Sequence, residues 1–176
     1  MSAAAQKSET VVDAATTEVI RHYIASAARE MERTLVRTAY STIIYEINDY
    51  GLSIFDRELR LLGDSTGLSV FLGANEYAVL ECRDLGLFDD IAPGDVIMMN
   101  VPYVIGTHTN DAILVQGAFH EGEIVAYTCV RAHWTDIGGK DPGYILDSTS
   151  IHQEGLLIPG IKIIKAGVPD ENVMRI

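Results

Sequence analysis

The chain has 176 residues, enough for one domain with a sizeable core, and its 48% apolar and 22% charged content is that of a folded globular protein. A net charge of −12 excludes a surface built to grip nucleic-acid phosphates or an anionic membrane, since both demand clustered Lys and Arg. No apolar run approaches the roughly 20 residues of a membrane span, and residues 1–10 lack the apolar centre of a secretion signal, so the expected setting is the cytoplasm.

Residues 1–12 read as a flexible lead. From Asp13 to about Tyr40 the apolar positions Ile20, Ile24, Ala27, Met31 and Leu35 recur every three or four residues, with Arg21, Arg29, Glu32 and Arg33 elsewhere around the turn. That spacing predicts a long amphipathic helix with Asp13 or Thr16 as its N-cap. Tyr50-Gly-Leu-Ser-Ile-Phe55 and Leu59-Arg-Leu-Leu62 flank Asp56-Arg-Glu58 as the arms of a hairpin, and residues 73–85 have the composition of a second helix stopped by Gly86. Ala92-Pro-Gly-Asp95 is a turn leading into a short strand, Val96-Ile-Met-Met99. Residues 112–119 and 123–130 are rich in β-branched and apolar side chains, and Glu121-Gly122 between them suits a two-residue turn, which predicts a tight hairpin. Residues 137–143 form a turn-rich loop, Ile161-Lys-Ile-Ile164 a last strand, and Ala166-Gly167 a turn. Met174-Arg-Ile176 looks like a helix just beginning, as if the chain were part of something longer.

Helices and antiparallel hairpins mixed without a βαβ rhythm predict an α+β fold, a long N-terminal helix packed on a mainly antiparallel sheet, with residues 13–176 in one domain. Cys82 and Cys129 stand alone in apolar settings, without the spacing of a zinc knuckle or redox pair, and are expected as reduced core residues.

The chemistry concentrates in His108, Asp111 and His133, a His-x-x-Asp pair and a lone His on either side of the predicted hairpin. Two imidazoles and a carboxylate leave positions open on a divalent ion, a catalytic rather than a structural arrangement that suits Mn, Zn or Fe. If His120 pairs with Glu123, His133 comes to lie opposite Asn110, close to both other ligands. Side chains alternate along a strand, however, so that register turns His133 away from the face of Asp111. A common site therefore requires a bulge or loop between Gly106 and Asn110; failing that, the motif is a polar loop. Asp136 either orients a ligand imidazole from behind or caps its own loop, and His152 either reaches the same cleft for proton transfer or stays solvated. His22 is expected as a surface or packed residue of the helix and not as a ligand, and His120 at the hairpin tip, far from the cluster. No phosphate-binding glycine loop and no Gly-x-Ser-x-Gly elbow is present, and Gly138-Gly-Lys140 reads as a plain turn before it reads as an anion site. Metal-assisted chemistry is the remaining enzymatic option.

These motifs together resemble a known family. Thr17-Glu-Val-Ile-Arg21, Arg37-Thr-Ala-Tyr-Ser41, Asp49-Tyr-Gly-Leu-Ser-Ile-Phe-Asp56, Pro93-Gly-Asp95, Gly106-Thr-His-Thr-Asn-Asp111, Arg131-Ala-His-Trp-Thr-Asp-Ile-Gly-Gly139 and Gln153-Glu-Gly-Leu156 are similar, in order, to the N-terminal part of hydantoinase B type subunits. That family includes the B half of ATP-dependent hydantoinases and 5-oxoprolinases and subunits of ketone carboxylases. The resemblance implies an A-type, actin-like partner subunit that binds ATP and phosphorylates a hydantoin, lactam or ketone enolate oxygen. The B-type subunit, of which this chain would be the N-terminal portion, then receives the activated substrate. It also implies that His108, Asp111 and His133 hold a divalent metal; the chemistry we expect of that ion is Lewis acidity for hydrolysis of a cyclic amide or carboxylation of an enolate, with Asp136 and His152 as our supporting candidates. One departure is Trp134, where many relatives carry a second His. Two other readings stay open: a non-catalytic assembly segment with a vestigial metal motif, and a stand-alone metallohydrolase.

Overall fold

The computed structural model describes residues 12–176, so the expected flexible lead lies, but for Val12, outside the described residues. Helix α1 (Ala14–Thr38) starts where Asp13, in extended backbone, accepts hydrogen bonds from the Thr16 N–H at 3.0 Å and its hydroxyl at 2.7 Å. A single-turn helix, α2 (Thr42–Tyr45), leads into the hairpin of β1 (Tyr50–Asp56) and β2 (Leu61–Thr66). Then follow α3 (Asn75–Asp84), β3 (Val96–Met99), α4 (Pro102–Ile105), β4 (Asp111–His120), β5 (Glu123–His133), β6 (Ile161–Lys165) and β7 (Val168–Pro169). The seven strands form one antiparallel sheet in the order β2-β1-β5-β4-β3-β6-β7, which is the α+β architecture expected.

Two expectations shift in detail. Ile20 and Ala27 are exposed although the period places them on the core face; Ala28 is the buried residue, with Ile24, Met31 and Leu35 half-buried. A 25-residue helix is about 37 Å long and a six-residue strand only about 20 Å. The first turns of α1 therefore outrun the strand beneath them, leaving Val19, Ile20 and Tyr23 in solvent. The second hairpin arm begins at Leu61 and not at Leu59. Asp56 winds the intervening turn by accepting the N–H groups of Glu58 at 3.0 Å and Arg60 at 2.8 Å, and Leu59, at φ +64°, drops into the core.

The sheet separates two apolar clusters by the alternation of its side chains. On one face Phe55, Ile97, Met99, Ile113, Val115 and Cys129 meet Val79 and Cys82 of α3. On the other, Tyr50, Leu52 and Ala132 meet Ile44 and the Met31–Leu35–Val36 stretch of α1. Both cysteines are buried and unpaired, as expected, and burial pushes the Cys82 thiol up to about 12, which makes it an inert space-filler. Among the described residues no helix is long and apolar enough to cross a membrane.

Arg131 of β5 is the largest fully buried side chain and organises the α3 face. Its guanidinium donates to Asn75 Oδ1 at 3.1 Å, to the carbonyls of Ile105 at 3.1 Å and Ala74 at 3.2 Å, and to the Thr107 hydroxyl at 3.1 Å, and it lies over the Phe71 ring. Asn75 passes the connection on to β1 through Gly51 O and Ser53 Oγ. One cation thus ties the start of α3 and the loop after α4 to the sheet. Arg131→Met removes every one of these donors and strands the acceptors; chemical denaturation of the variant is expected to show a loss of about 2–4 kcal/mol.

At the other end of the sheet, Asp95 accepts the N–H of Ala92 at 3.0 Å and of Ala166 at 2.7 Å, with the Lys162 ammonium at 2.9 Å. The β6–β7 turn is thereby pinned against the 92–95 turn. Gly94 is required there, because at φ +87° a Cβ would stand 2.6 Å from the Gly167 nitrogen. Burial pushes the Asp95 carboxyl up, but the hydrogen bonds outweigh it and hold the group below its ordinary 3.8. A lowered folded-state pKa contributes stability that is complete above 3.8 and drains as the pH falls through the folded value. Asp95→Asn is expected to cost about 1–3 kcal/mol at neutral pH and to flatten the acid limb of a stability-against-pH curve.

Candidate metal centre

His108, Asp111 and His133 do come together, and the strand geometry that achieves this is not the one expected. The β4–β5 hairpin turns at Glu121 (φ +51°) and Gly122 (φ +85°), and His120 pairs with Glu123 as predicted. The next pairs are Phe119 with Ile124 and Ala118 with Ala126, so Val125 is an extra residue on β5. This bulge lies next to the turn, not between Gly106 and Asn110. It moves every later pair by one position and brings His133 opposite Asp111, on the same face as Arg131 and Ile113. The chain before Asp111 also leaves β geometry, through α4 and the left-handed Gly106, which serves to present His108.

Asp111 and His133 are each 1% exposed, whereas the His108 side chain is 60% exposed, so the cluster has one open side. Asp111 Oδ1 lies 2.9 Å from His133 Nδ1. A carboxylate can only accept, so Nδ1 carries the proton and the Nε2 lone pair is free. Nε2 is buried and has no hydrogen-bond partner. Asp111 Oδ2 accepts the His108 N–H at 2.8 Å and stands 3.5 Å from His108 Nδ1. That separation is longer than a hydrogen bond and close to the about 3.4 Å between two donors sharing a tetrahedral ion at about 2.1 Å. One donor atom from each of the three residues lies within 4.8 Å of the others. The orphaned imidazole nitrogen, the two-His, one-carboxylate donor set and this spacing all fit a divalent metal. Burial pushes the Asp111 carboxyl up, but hydrogen bonds, that of His133 first, outweigh it and keep the group ionised.

Three neighbours to which the sequence reading gave no role at the site complete it. Asp49, buried one residue before β1, accepts the His133 backbone N–H at 3.1 Å through its carbonyl, and its carboxylate lies 3.8 Å from His133 Nδ1. Tyr144 donates its hydroxyl to that carboxylate and lays its ring 4.4 Å from the His133 ring and 5.9 Å from that of His108. Burial, with Asp49 accepting its proton, raises the Tyr144 phenol above its ordinary 10. Asn110 fastens the strand ends, its Nδ2 donating to Trp134 O at 2.9 Å and its carbonyl accepting the Trp134 N–H at 2.8 Å. Pairing β1 with β5 would have placed Asp49 beside His133, since Tyr50 faces Ala132. Nothing local marks Tyr144.

Neither supporting candidate is among the residues that line the chamber around His108 and His133. Asp136 is exposed and accepts the Gly138 N–H at 2.8 Å, which caps its own loop. His152 is exposed on a single-turn 3₁₀ helix, and the residue of that segment lining the metal chamber is Glu154. Trp134 packs with Tyr50, Leu52 and Ala132 on the α1 side, so the aromatic wall of the site is Tyr144 and not Trp134. His22 and His120 are exposed and distant in the fold, as expected.

Comparison with known proteins places this geometry in a lineage. The chain is 35% identical to caprolactamase subunit beta of Pseudomonas jessenii over 166 residues, which is 94% of this chain and 28% of that protein. It is 32% identical to the 5-oxoprolinase of Dictyostelium discoideum over 174 residues, 96% of this chain and 14% of that one. The chain thus spans about 28% or less of the length of these two relatives. The crystal structure of the ATP-dependent caprolactamase from Pseudomonas jessenii superposes with a TM-score of 0.81 at 34% identity, covering 94% of this chain and 29% of that one. A nucleotide-free acetone carboxylase structure shares the fold, with a TM-score of 0.77 at 18% identity over 91% of this chain and 21% of that one. The sequence pattern of the hydantoinase B/oxoprolinase family matches residues 13–176, and the chain belongs to that family.

Proposed function

We propose that this chain carries the divalent-metal centre of an ATP-dependent cyclic-amide hydrolase, as part of a B-type subunit that receives a substrate activated by a separate, A-type ATP-binding partner. The observation that carries this reading is the buried Nε2 of His133, left without a hydrogen-bond partner beside an ionised Asp111. An unsatisfied buried imidazole nitrogen costs about 1–3 kcal/mol, and a metal ligand bond offsets that cost. Cyclic-amide hydrolysis is favoured over ketone carboxylation because caprolactamase subunit beta and the 5-oxoprolinase, both above 30% identity, are named for lactam substrates, whereas acetone carboxylase shares only the fold.

His108, Asp111 and His133 would hold a divalent ion, which would supply Lewis acidity towards an amide carbonyl or an attacking water. The protein's own groups prepare the place. Asp111 fixes the His133 ring through Nδ1 and so selects the tautomer that leaves the Nε2 lone pair free. The His108 N–H holds the second carboxylate oxygen. His108 itself, on the open side, is the ligand nearest to an entering substrate. Arg131, two residues along β5 on the same face, offsets the negative charge of Asp111. The chain has no phosphate-binding glycine loop, so ATP belongs to the partner subunit in this reading.

The test uses the full-length subunit with its partner. Metal content is measured by elemental analysis, and activity with ATP against lactams, hydantoins, and ketones plus bicarbonate. His108→Ala, Asp111→Asn and His133→Ala are each expected to lower bound metal by about tenfold or more and to abolish ATP-dependent ring opening. If His108→Ala leaves both metal content and turnover at the wild-type level, the reading is wrong. Carboxylated product from ketones without lactam opening would reassign the reaction.

A further inference from the structure

The metal chamber is walled by His108, Asn110, His133, Tyr144, Ile145 and Glu154 and holds about 10 Å³. That is room for about one water molecule, and a cyclic amide needs about ten times as much. The roof is the segment 138–154, which contributes both Tyr144 and Glu154. This segment is bonded almost entirely to itself. Its neck is closed by Leu156 N–H to Ile137 O at 2.9 Å and Lys140 N–H to Gln153 O at 2.7 Å. Gly155, at φ +135°, allows the two strands of the neck to approach, since a Cβ there would stand 2.9 Å from the Ile137 carbonyl oxygen. Inside, Lys140 pairs with Asp147 at 2.5 Å and Ser148 donates to Glu154 at 2.5 Å. Among the described residues, every hydrogen bond made by residues 138–154 closes within 135–156, apart from the one the Tyr144 hydroxyl donates to the Asp49 carboxylate.

A compact loop with its own internal bonding and one polar tether moves as a unit at low cost. We propose that residues 138–154 form a lid over the metal chamber, latched by the Tyr144–Asp49 hydrogen bond, and that the lid swings out to admit substrate and closes with the Tyr144 ring against the two histidines. This rests on the metal-centre reading above and adds its gate. A space of substrate size, a hollow of about 410 Å³ lined by Tyr103, Ser148, Thr149, Ser150 and Ile151, shares Glu154 with the chamber. The same segment is the cover of the one and a wall of the other, so its movement merges them. Tyr144 is an access and positioning residue here, not a group that exchanges protons with the substrate.

The experiment compares the Mn(II)-loaded full-length complex with its Tyr144→Phe variant, which keeps the ring and removes the latch. A Tyr23→Phe control alters an exposed tyrosine of α1, outside the latch and the hollow. Hydrogen exchange read by mass spectrometry and the rate of metal extraction by EDTA are the two readouts. A charge-assisted hydrogen bond is worth roughly a tenfold shift in an opening equilibrium, so Tyr144→Phe is expected to speed both exchange in 138–154 and extraction by about tenfold. Amides of β4 and β5 should exchange as in the wild type, and Tyr23→Phe should change neither readout. Unchanged exchange and extraction in Tyr144→Phe overturn the lid. Should the wild-type complex hold no metal, the metal-centre reading falls, and exchange in 138–154 alone decides for or against the lid.

Discussion

The extra residue at Val125 is the constraint on which the site depends. Strand side chains alternate with a period of two, so a register slip of one residue exchanges the faces of everything beyond it. Without the bulge, Asn110 would oppose His133 and the carboxylate of Asp111 would point into the α1-side cluster. With it, Asp111 and His133 meet at 2.9 Å on the face that α3 covers. A defect eight residues from the metal ligand, beside a solvent-exposed turn, thus selects which two side chains share the chamber.

The same face carries a graded change from packing to chemistry. Along β5, Cys129 is pure core, Arg131 is a buried cation that bonds neutral acceptors, and His133 is the exposed-side end of the row with a free lone pair. Arg131 has no carboxylate within hydrogen-bonding distance; burial lowers its pKa, and the negative field of Asp111 works against that shift. The two buried charges on neighbouring strands therefore stabilise each other without neutralising each other by contact, which leaves the oxygens of Asp111 unclaimed by the guanidinium. Asn100 plays the equivalent role for the chain around the site, donating to Thr109 O and Leu156 O and accepting from the Ile158 N–H, all at 2.6–2.8 Å.

Much of this was legible in the residues. The capped helix, the Glu121-Gly122 turn and the stop at Gly86 follow from periodicity and turn chemistry, and the hairpin pairing brings His108, Asp111 and His133 to one end of the ladder. The need for a break in the ladder was also legible, because alternation forbade the site without one. Its position was not: Val125 is a β-branched residue inside a strand-like run and carries no mark of irregularity. Leu59 escaped for a similar reason, since a leucine at positive φ is dictated by the Asp56 carboxylate and not by leucine. Asp49 could be reached only by pairing two strands 70 or more residues apart in sequence, and Tyr144 only by folding a long loop over the cleft.

The outer strands of the sheet differ in a way that bears on association. At one border β7 has two residues, the second of them Pro169, which has no N–H to offer a neighbour. That margin is blunt, and a further strand cannot pair along it. At the opposite border β2 runs for six residues and leaves Leu61 and Leu62 about two-fifths exposed, at 43% and 42%. Extension of this sheet by a strand from another polypeptide, whether in orderly assembly or in precipitation, is therefore directed to one side only, beneath the overhanging start of α1.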